Sequence, residues 1–382
     1  MAVTERPGFW LFVLMVVLVS PWAKAATLPE DNVDLLYHRY EGGGMTIDGP
    51  SVLVRKNVGA QWSVSGQYYV DSVSAASVDV LATASEYTEE RTEVTAGVDY
   101  LYERSILSLG YTNSSENDYE ANTVYFSVSQ EFFGGMSTIT LGYANGWDEV
   151  GQRGNDSFEE EADRRNYQFG LSQVVTANSL VGLDFEVVTD EGFLQNPYRQ
   201  NRYLDGSDRG YGYQAERYPE TRTSYSLAAR ALYYLPYRAS IRAEYRYFSD
   251  TWGIDSHTYE LAYVHALNPR WSLEGKARFY DQDQADFYSD LYAFENSQTH
   301  LARDKEMSSF SGITLGGGLV YEWKQTSLPG ISRLQASLLV DWLDFDYDNF
   351  RDVTASGNFA PGEEPLYSFD AFVTRASLIL EY

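Results

Sequence analysis

Apolar and polar residues alternate with a period of two along most of this chain. From Ala60 onward, Ala60, Trp62, Val64, Gly66, Tyr68 and Val70 fall on one face, and Gln61, Ser63, Ser65, Gln67 and Tyr69 on the other. That period belongs to extended strands with one apolar face. It recurs at 92–102, 105–112, 123–132, 137–147, 167–175 and 179–189, and again at 223–235, 239–248, 258–267, 271–280, 310–323, 333–344 and 369–382. Beyond the N-terminus no apolar run approaches the ~18 residues of a membrane helix. A chain built this way must either bury one face of a very large sheet or set it against lipid.

The last segment favours lipid. Phe372, Ala376, Leu378, Leu380 and Tyr382 occupy alternate positions up to the final residue. A soluble sheet frays at its end, whereas a strand closing a membrane barrel needs apolar atoms throughout. Phe372, Leu378, Leu380 and Tyr382 therefore read as a membrane-insertion signal. The composition agrees, with 32 tyrosines, 15% aromatics and only 44% hydrophobic residues, a balance too polar for a helical bundle. The chain has no cysteine, which removes thiol chemistry and suits an oxidising periplasm. A net charge of −27 argues against nucleic acid as a partner.

The spacing predicts one antiparallel, up-and-down transmembrane β-barrel of about sixteen strands over residues 26–382, with fourteen and eighteen left open. The count includes two weaker strands, Asp34 to Tyr40 and Ser51 to Lys56, joined through Gly42-Gly43-Gly44. The first of them should pair with the last segment to close the ring. Short turns at Glu103-Arg104, Gly134-Gly135, Ala177-Asn178, Pro236-Tyr237, Asn268-Pro269 and Leu328-Pro329-Gly330 alternate with long polar segments. The long ones are 113–122, 148–165, 190–222, 250–255, 282–307 and 347–367. This asymmetry is that of outer-membrane barrels, with short periplasmic turns, long outer loops and both termini periplasmic. Aromatics mark both ends of the strands, among them Trp62, Tyr102, Phe132, Tyr233, Trp271 and Trp323 near short turns and Tyr111, Trp147, Tyr167, Tyr247, Tyr259 and Trp342 near long segments. Residues 1–25 read as an export signal, with Arg6, an apolar run from Phe9 to Val19 and the small-x-small site Ala23-Lys24-Ala25. The expected location is the outer membrane of a Gram-negative bacterium, with lipid, lipopolysaccharide and the barrel-assembly machinery as partners.

Four stretches carry a family resemblance: Tyr111-Thr-Asn-Ser-Ser-Glu-Asn-Asp118, Thr189-Asp-Glu-Gly-Phe-Leu-Gln-Asn-Pro-Tyr-Arg199, Tyr247-Phe-Ser-Asp-Thr-Trp-Gly-Ile254 and Ala285-Asp-Phe-Tyr-Ser-Asp-Leu-Tyr292. Through them the chain resembles an uncharacterised proteobacterial family of unknown function, expected to be outer-membrane barrels. The resemblance covers nearly all of residues 26–382 and implies no catalytic residues. Because genes of that family neighbour those for a flavin transferase and a thioredoxin-like protein, it also implies an envelope redox partner.

Parity points several charged residues inward: Arg230, Arg242, Arg246, Lys276 and Arg278, interleaved with Glu244, Glu260, Glu274 and Glu322, and joined by Asp184, Glu186 and Asp341. They read as a charged constriction in a porin-like channel for small solutes. The reading that a polar lumen favours for the same groups is a salt-bridged wall that satisfies and rigidifies itself. The alternative is a plugged barrel that binds a partner in an envelope redox assembly. For that role the loops offer Tyr198, Arg199, Arg202 and Tyr203 in 190–222, and Phe287 and Tyr288 in 282–307. In the second loop Phe287, Tyr288, Leu291 and Tyr292 also have the spacing of a short cap helix, as chance spacing in an irregular loop would give. Acidic clusters at 116–120, 159–163 and Asp344, Asp346 and Asp348 lack the glycine and terminal glutamate of a Ca²⁺ loop, so they read as solvated surface and no metal is assigned.

No catalytic group or cofactor is expected. The four histidines, His38, His257, His265 and His300, form no His-Glu-x-x-His pair. His257 and Glu260 are an odd number of residues apart and should face opposite sides of a strand. Gly316-Gly317-Gly318 has no lysine or helix after it and reads as a kink that lets the sheet curve.

Overall fold

The computed structural model describes residues 26–75, 87–324 and 330–382. The export signal expected over residues 1–25 and most of the turn at Leu328-Pro329-Gly330 lie outside them. Sixteen strands close into one antiparallel barrel. They are β1 (Asn32–Gly42), β2 (Met45–Val58), β3 (Trp62–Ala75), β4 (Tyr87–Tyr102), β5 (Ser105–Ser115), β6 (Tyr119–Phe132), β7 (Ser137–Gly151), β8 (Glu159–Thr176) and β9 (Ser179–Gly192), followed, after an inserted hairpin, by β12 (Thr221–Leu235), β13 (Ala239–Asp250), β14 (Asp255–Ala266), β15 (Trp271–Gln282), β16 (Phe310–Lys324), β17 (Arg333–Arg351) and β18 (Leu366–Glu381). The hairpin, β10 (Gln200–Leu204) with β11 (Tyr211–Ala215), forms a separate sheet in the loop between β9 and β12. No α-helix occurs among the described residues.

Every strand pairs with its chain neighbour except at two places, β9 with β12 and β1 with β18. The second pair is the closure, running in unbroken register from Asn32 opposite Glu381 to Gly42 opposite Ala371. The weakly patterned first strand thus sits where the sequence places it. Gly43 and Gly44 make the tight turn from β1 to β2, both with positive φ (58° and 77°), which a two-residue hairpin turn of the favoured hand demands.

The turns at Glu103-Arg104, Gly134-Gly135, Ala177-Asn178, Pro236-Tyr237 and Asn268-Pro269 gather at one rim, the turn end, while the tight Gly43-Gly44 turn lies at the other. The opposite rim is the loop end. Several strands continue well past the apolar band, so the loops are shorter than composition suggests. β7 runs to Gly151 and β8 starts at Glu159, β5 and β6 are separated only by 116–118, and β17 reaches Arg351. Polar composition marks where the apolar band stops, while the hydrogen-bonded ladder continues above it. Asp344, Asp346 and Asp348 accordingly lie on one face of β17 and not in a loop.

Outward faces are apolar and exposed, as in Trp62, Val64 and Tyr68 on β3 and Leu338 and Val340 on β17. Inward faces hold the polar partners of the same strands, with Ser63 and Asp71 buried on β3 and Asp341 on β17. Phe372 and Tyr382 on and beyond β18 are exposed outward, together with the half-buried Leu378 and Leu380.

Candidate functional site

The inward charges pair along the wall. Arg230 on β12 bonds Asp184 on β9 and sits 3.2 Å from Glu244 on β13. Arg242 reaches Glu260 at 2.5 Å, and Arg246 reaches Glu186 at 3.3 Å. Lys276 does not join this group, lying 3.0 Å from Asp341, which Arg375 also contacts at 2.7 Å. Glu322 serves the turn end, bonded to Arg333 and 3.3 Å from Lys324. Arg278 lies over the Tyr280 ring at 5.9 Å. Neither it nor Glu274 makes an ion pair among the described residues.

Several of these pairs skip a strand, and a small residue on the strand between makes that possible. Lys276 on β15 crosses Gly316 on β16 to reach Asp341 on β17. His38 on β1 crosses Gly49 on β2 to reach Asp71 on β3 at 2.7 Å, where Arg91 and Tyr69 also bond. Arg246 passes Ser226, donating to its hydroxyl at 2.6 Å, and Arg55 passes β3 to Asp99 at 2.8 Å. Gly316 therefore does more than curve the sheet, since a Cβ there would lie 2.1 Å from the Asp341 carboxylate and 2.8 Å from Lys276. Gly316→Val should break the Lys276 pair and cost about 1 kcal/mol, the scale of a solvated ion pair. Gly317→Ala meets only a carbonyl at 3.8 Å and should be silent. Heat-modifiable gel migration reads both. Among the described residues no wall side chain pairs across the lumen. Each wall ion pair joins residues of one strand, of adjacent strands or of strands one apart.

The loop end is closed by a lid. The loop from β9 to β12 touches the rim at Asp118, between β5 and β6, through the Tyr198 hydroxyl, which also accepts from the Arg153 amide at 2.6 Å. The next residue, Arg199, lies 2.7 Å from Asp304, between β15 and β16. Those two hairpins are eight strands apart in either direction round the ring, through β6 to β15 or through β16 to β5. Consecutive residues are thus held to opposite sides, and the loop crosses the mouth.

Beneath and beside the crossing, the loops pack a core of their own. The rings of Tyr218, Trp252 and Phe287 pack edge-to-face or tilted, with centroids 5.3–5.4 Å apart, and Ile254, Ala285, Tyr288 and Ala302 lie around them. Phe248 on the inward face of β13 packs against this core, which seats it on the barrel. The spacing over Phe287 to Tyr292 belongs to an irregular loop and not to a cap helix, because its backbone groups bond elsewhere: the Tyr292 amide donates to the Arg202 carbonyl of another loop at 2.9 Å and the Ser289 amide to that of Ala302, farther along its own loop, at 3.0 Å.

Arg202 is the lid's centre. Its guanidinium is fully buried, donating to both oxygens of Glu364 at 2.6 and 3.1 Å and to Asp290 at 2.5 Å. Arg303 binds the other oxygen of Asp290 at 3.0 Å and lies 4.4 Å over the Phe350 ring. Burial works to raise the Glu364 carboxyl, but the bonds from Arg202 outweigh it and leave it below its ordinary value. Glu216 accepts from the Arg303 amide at 2.6 Å and from the Tyr218 hydroxyl at 2.8 Å. Its burial, with Asp304 adding to it, pushes its carboxyl up to about 7.

Of the loop residues expected from sequence, Arg202, Phe287 and Tyr288 are thus buried in the lid, Tyr203 forms its hairpin, and Tyr198 and Arg199 fasten it. Arg303, Glu364 and Glu216 stand outside the sequence expectations, and Trp252 and Asp290 enter them only within the stretches that carry the family resemblance. The one signal for them was the apolar content of segments otherwise read as loops. Elsewhere, Glu89, Glu116 and Asp118 bring their carboxylates within 4.8 Å of one another at the rim. His257 faces outward, 2.9 Å from the Tyr245 hydroxyl, with Glu260 on the opposite face.

A family model described as a protein of unknown function (DUF3570) matches residues 80–328. The chain belongs to the DUF3570 family. No curated protein matches it. Solved structures share the fold of this DUF3570 chain at low identity. A bacterial polysaccharide outer membrane secretin has a TM-score of 0.50 at 9% identity, covering 93% of this chain and 99% of its own. OmpT, an outer membrane protein of Vibrio cholerae, has a TM-score of 0.44 at 10% identity, with 91% and 96% covered. A Pseudomonas aeruginosa FadL homologue has 0.42 at 8%, with 93% and 91% covered.

Proposed function

We propose that the protein is an outer-membrane channel for small solutes, with the turn end periplasmic and the lid closing the outer mouth. The observation that carries this is a closed sixteen-strand wall whose inward charges pair along the wall and leave the axis uncrossed, under a loop held to both sides of one rim. A barrel of this size encloses a channel, and its apolar outer band calls for lipid. The neighbouring lipopolysaccharide and the barrel-assembly machinery are the partners this reading requires. It needs no catalytic residue and no cofactor.

The test is a planar bilayer. The intact protein should pass small, rare currents, because the lid spans the mouth. A variant with residues 196–217 replaced by a short Gly-Ser linker should pass large, steady ones. Absence of current from the shortened variant, with the barrel shown intact by heat-modifiable migration, overturns the channel reading.

A further inference from the structure

One part of the inner wall is not charged. Between the lid and mid-depth, the inward positions of β16, β17 and β18 include the half-buried Phe310, Leu343, Phe345, Phe369 and Val373 and the buried Ala371, with Thr314 the polar residue among them. Glycines let the rings settle along the wall: a Cβ on Gly312 would lie 3.0 Å from the Phe345 ring, and one on Gly43 2.9 Å from that of Phe369. The two rings are nearly parallel, 5.0 Å apart at 25°. Its upper rings, Phe310, Phe345 and Phe369, pack against the buried Tyr347 and Phe350, and the strip runs down from that aromatic core into a polar lumen.

At its lower end the strip meets a surplus of positive charge. Val373 lies opposite Asp341, the single carboxylate on which Lys276 and Arg375 converge. The Arg375 Nε is buried without a partner among the described residues. His38, directly across from Arg375 on β1, is taken up by Asp71 and leaves that carboxylate no part in balancing Lys276 and Arg375. In a chain of net charge −27, two cations on one carboxylate at the foot of an apolar strip are a specific arrangement. From Phe369 to Arg375 the strip spans about 20 Å at the rise of a strand.

We propose that this strip binds an elongated amphipathic organic anion, its apolar body along Phe345, Phe369 and Val373 and its carboxylate or sulfonate at Lys276 and Arg375. Area removed from water holds the body, and charge-assisted hydrogen bonds fix the head and the direction of entry. The lid covers the upper end of the strip, where Arg303 lies over Phe350. The inference rests on the channel reading for its purpose, as the selectivity site of that channel, but binding can be measured separately.

The probe is biphenyl-4-carboxylate, titrated by calorimetry into the full protein in lipid nanodiscs, with empty nanodiscs subtracted. It should bind, whereas glucose and the cation 4-(aminomethyl)biphenyl should not. Arg375→Gln and Phe369→Ala should each weaken binding about tenfold. Phe345→Leu, a milder change, should weaken it less, and Gln67→Ala, elsewhere on the inner wall, not at all. Heat-modifiable migration confirms that each variant is a closed barrel, so lost binding is read on folded protein. Equal binding of the cation, or unchanged affinity in folded Arg375→Gln and Phe345→Leu, overturns the proposal. A protein that binds the anion but passes no current without its lid keeps this proposal and loses the channel. One that conducts without binding the anion loses the proposal alone.

Discussion

Arg202→Met should loosen the lid by roughly 3–5 kcal/mol, the range for removing one partner of a buried ion pair. Arg202 and Glu364 have no exposed surface, and Asp290 has little. Without the guanidinium, Glu364 loses its bidentate partner and keeps the Gly362 amide at 2.8 Å, while Asp290 keeps Arg303. Glu364 would then lose the cation that balances it in a dry site. The loss comes from the charges left behind more than from the bonds removed, so Arg202→Met with Glu364→Met should recover much of it. Hydrogen exchange of the β10 and β11 amides reads the opening directly. Exchange as slow in the single variant as in the parent would refute the claim that this cluster holds the lid.

The lid should also respond to pH, closing most firmly near pH 5. Glu216, 2% exposed, has its carboxyl raised from 4.5 to about 7 by burial first and by Asp304 second, against the bonds from Arg303 and Tyr218. A raised carboxyl means that the closed lid binds a proton which the open lid releases between those values. Closure is therefore favoured as pH falls from 8 towards 5, by roughly 3 kcal/mol over the whole interval. Glu364 acts in the opposite sense. Its carboxyl is lowered, so its contribution is complete above the ordinary 4.5 and is lost only as pH falls through the folded value. Tyr218 is pushed well above 10 by burial and stays neutral throughout. Glu216→Gln should flatten amide exchange of the lid between pH 5 and 8, while leaving the weakening at lower pH. A parent protein with flat exchange over that interval would remove Glu216 from this role.

The barrel was legible because each strand carries its own instruction. Period two in 60–70 or 179–189 says which face turns inward without knowledge of any other strand. Even β1 and β2, with their weak patterns, follow from the need to close the ring. The inward side of Arg230, Arg242 and Lys276 was legible for the same reason. Their partners were not, because Lys276 skips a strand to Asp341, and only the shared register of β15, β16 and β17 reveals that Gly316 lies between them. The lid was hidden more deeply. Arg202 and Glu364 are 162 residues apart, in segments with no period at all. The spacing from Phe287 to Tyr292 imitates a helix because those side chains are buried, but they are buried by other loops. Charged residues in such segments look like solvated surface until the partner loop is in place.

The closure of β1 onto β18 has a consequence for how the barrel forms. Nearly all other neighbours in the ring are hairpins whose contacts are local along the chain, so they form early and cheaply. The seam joins Asn32–Gly42 to residues more than three hundred positions away and carries the largest loop-closure entropy in the molecule. It should be the last pairing made and the rate-limiting one. Until it forms, β1 and β18 each present a free edge of unpaired backbone groups, so a chain stalled at that step exposes two edges open to pairing with another chain. Substitutions that weaken the eleven-residue register should therefore slow assembly far more than they destabilise the finished barrel.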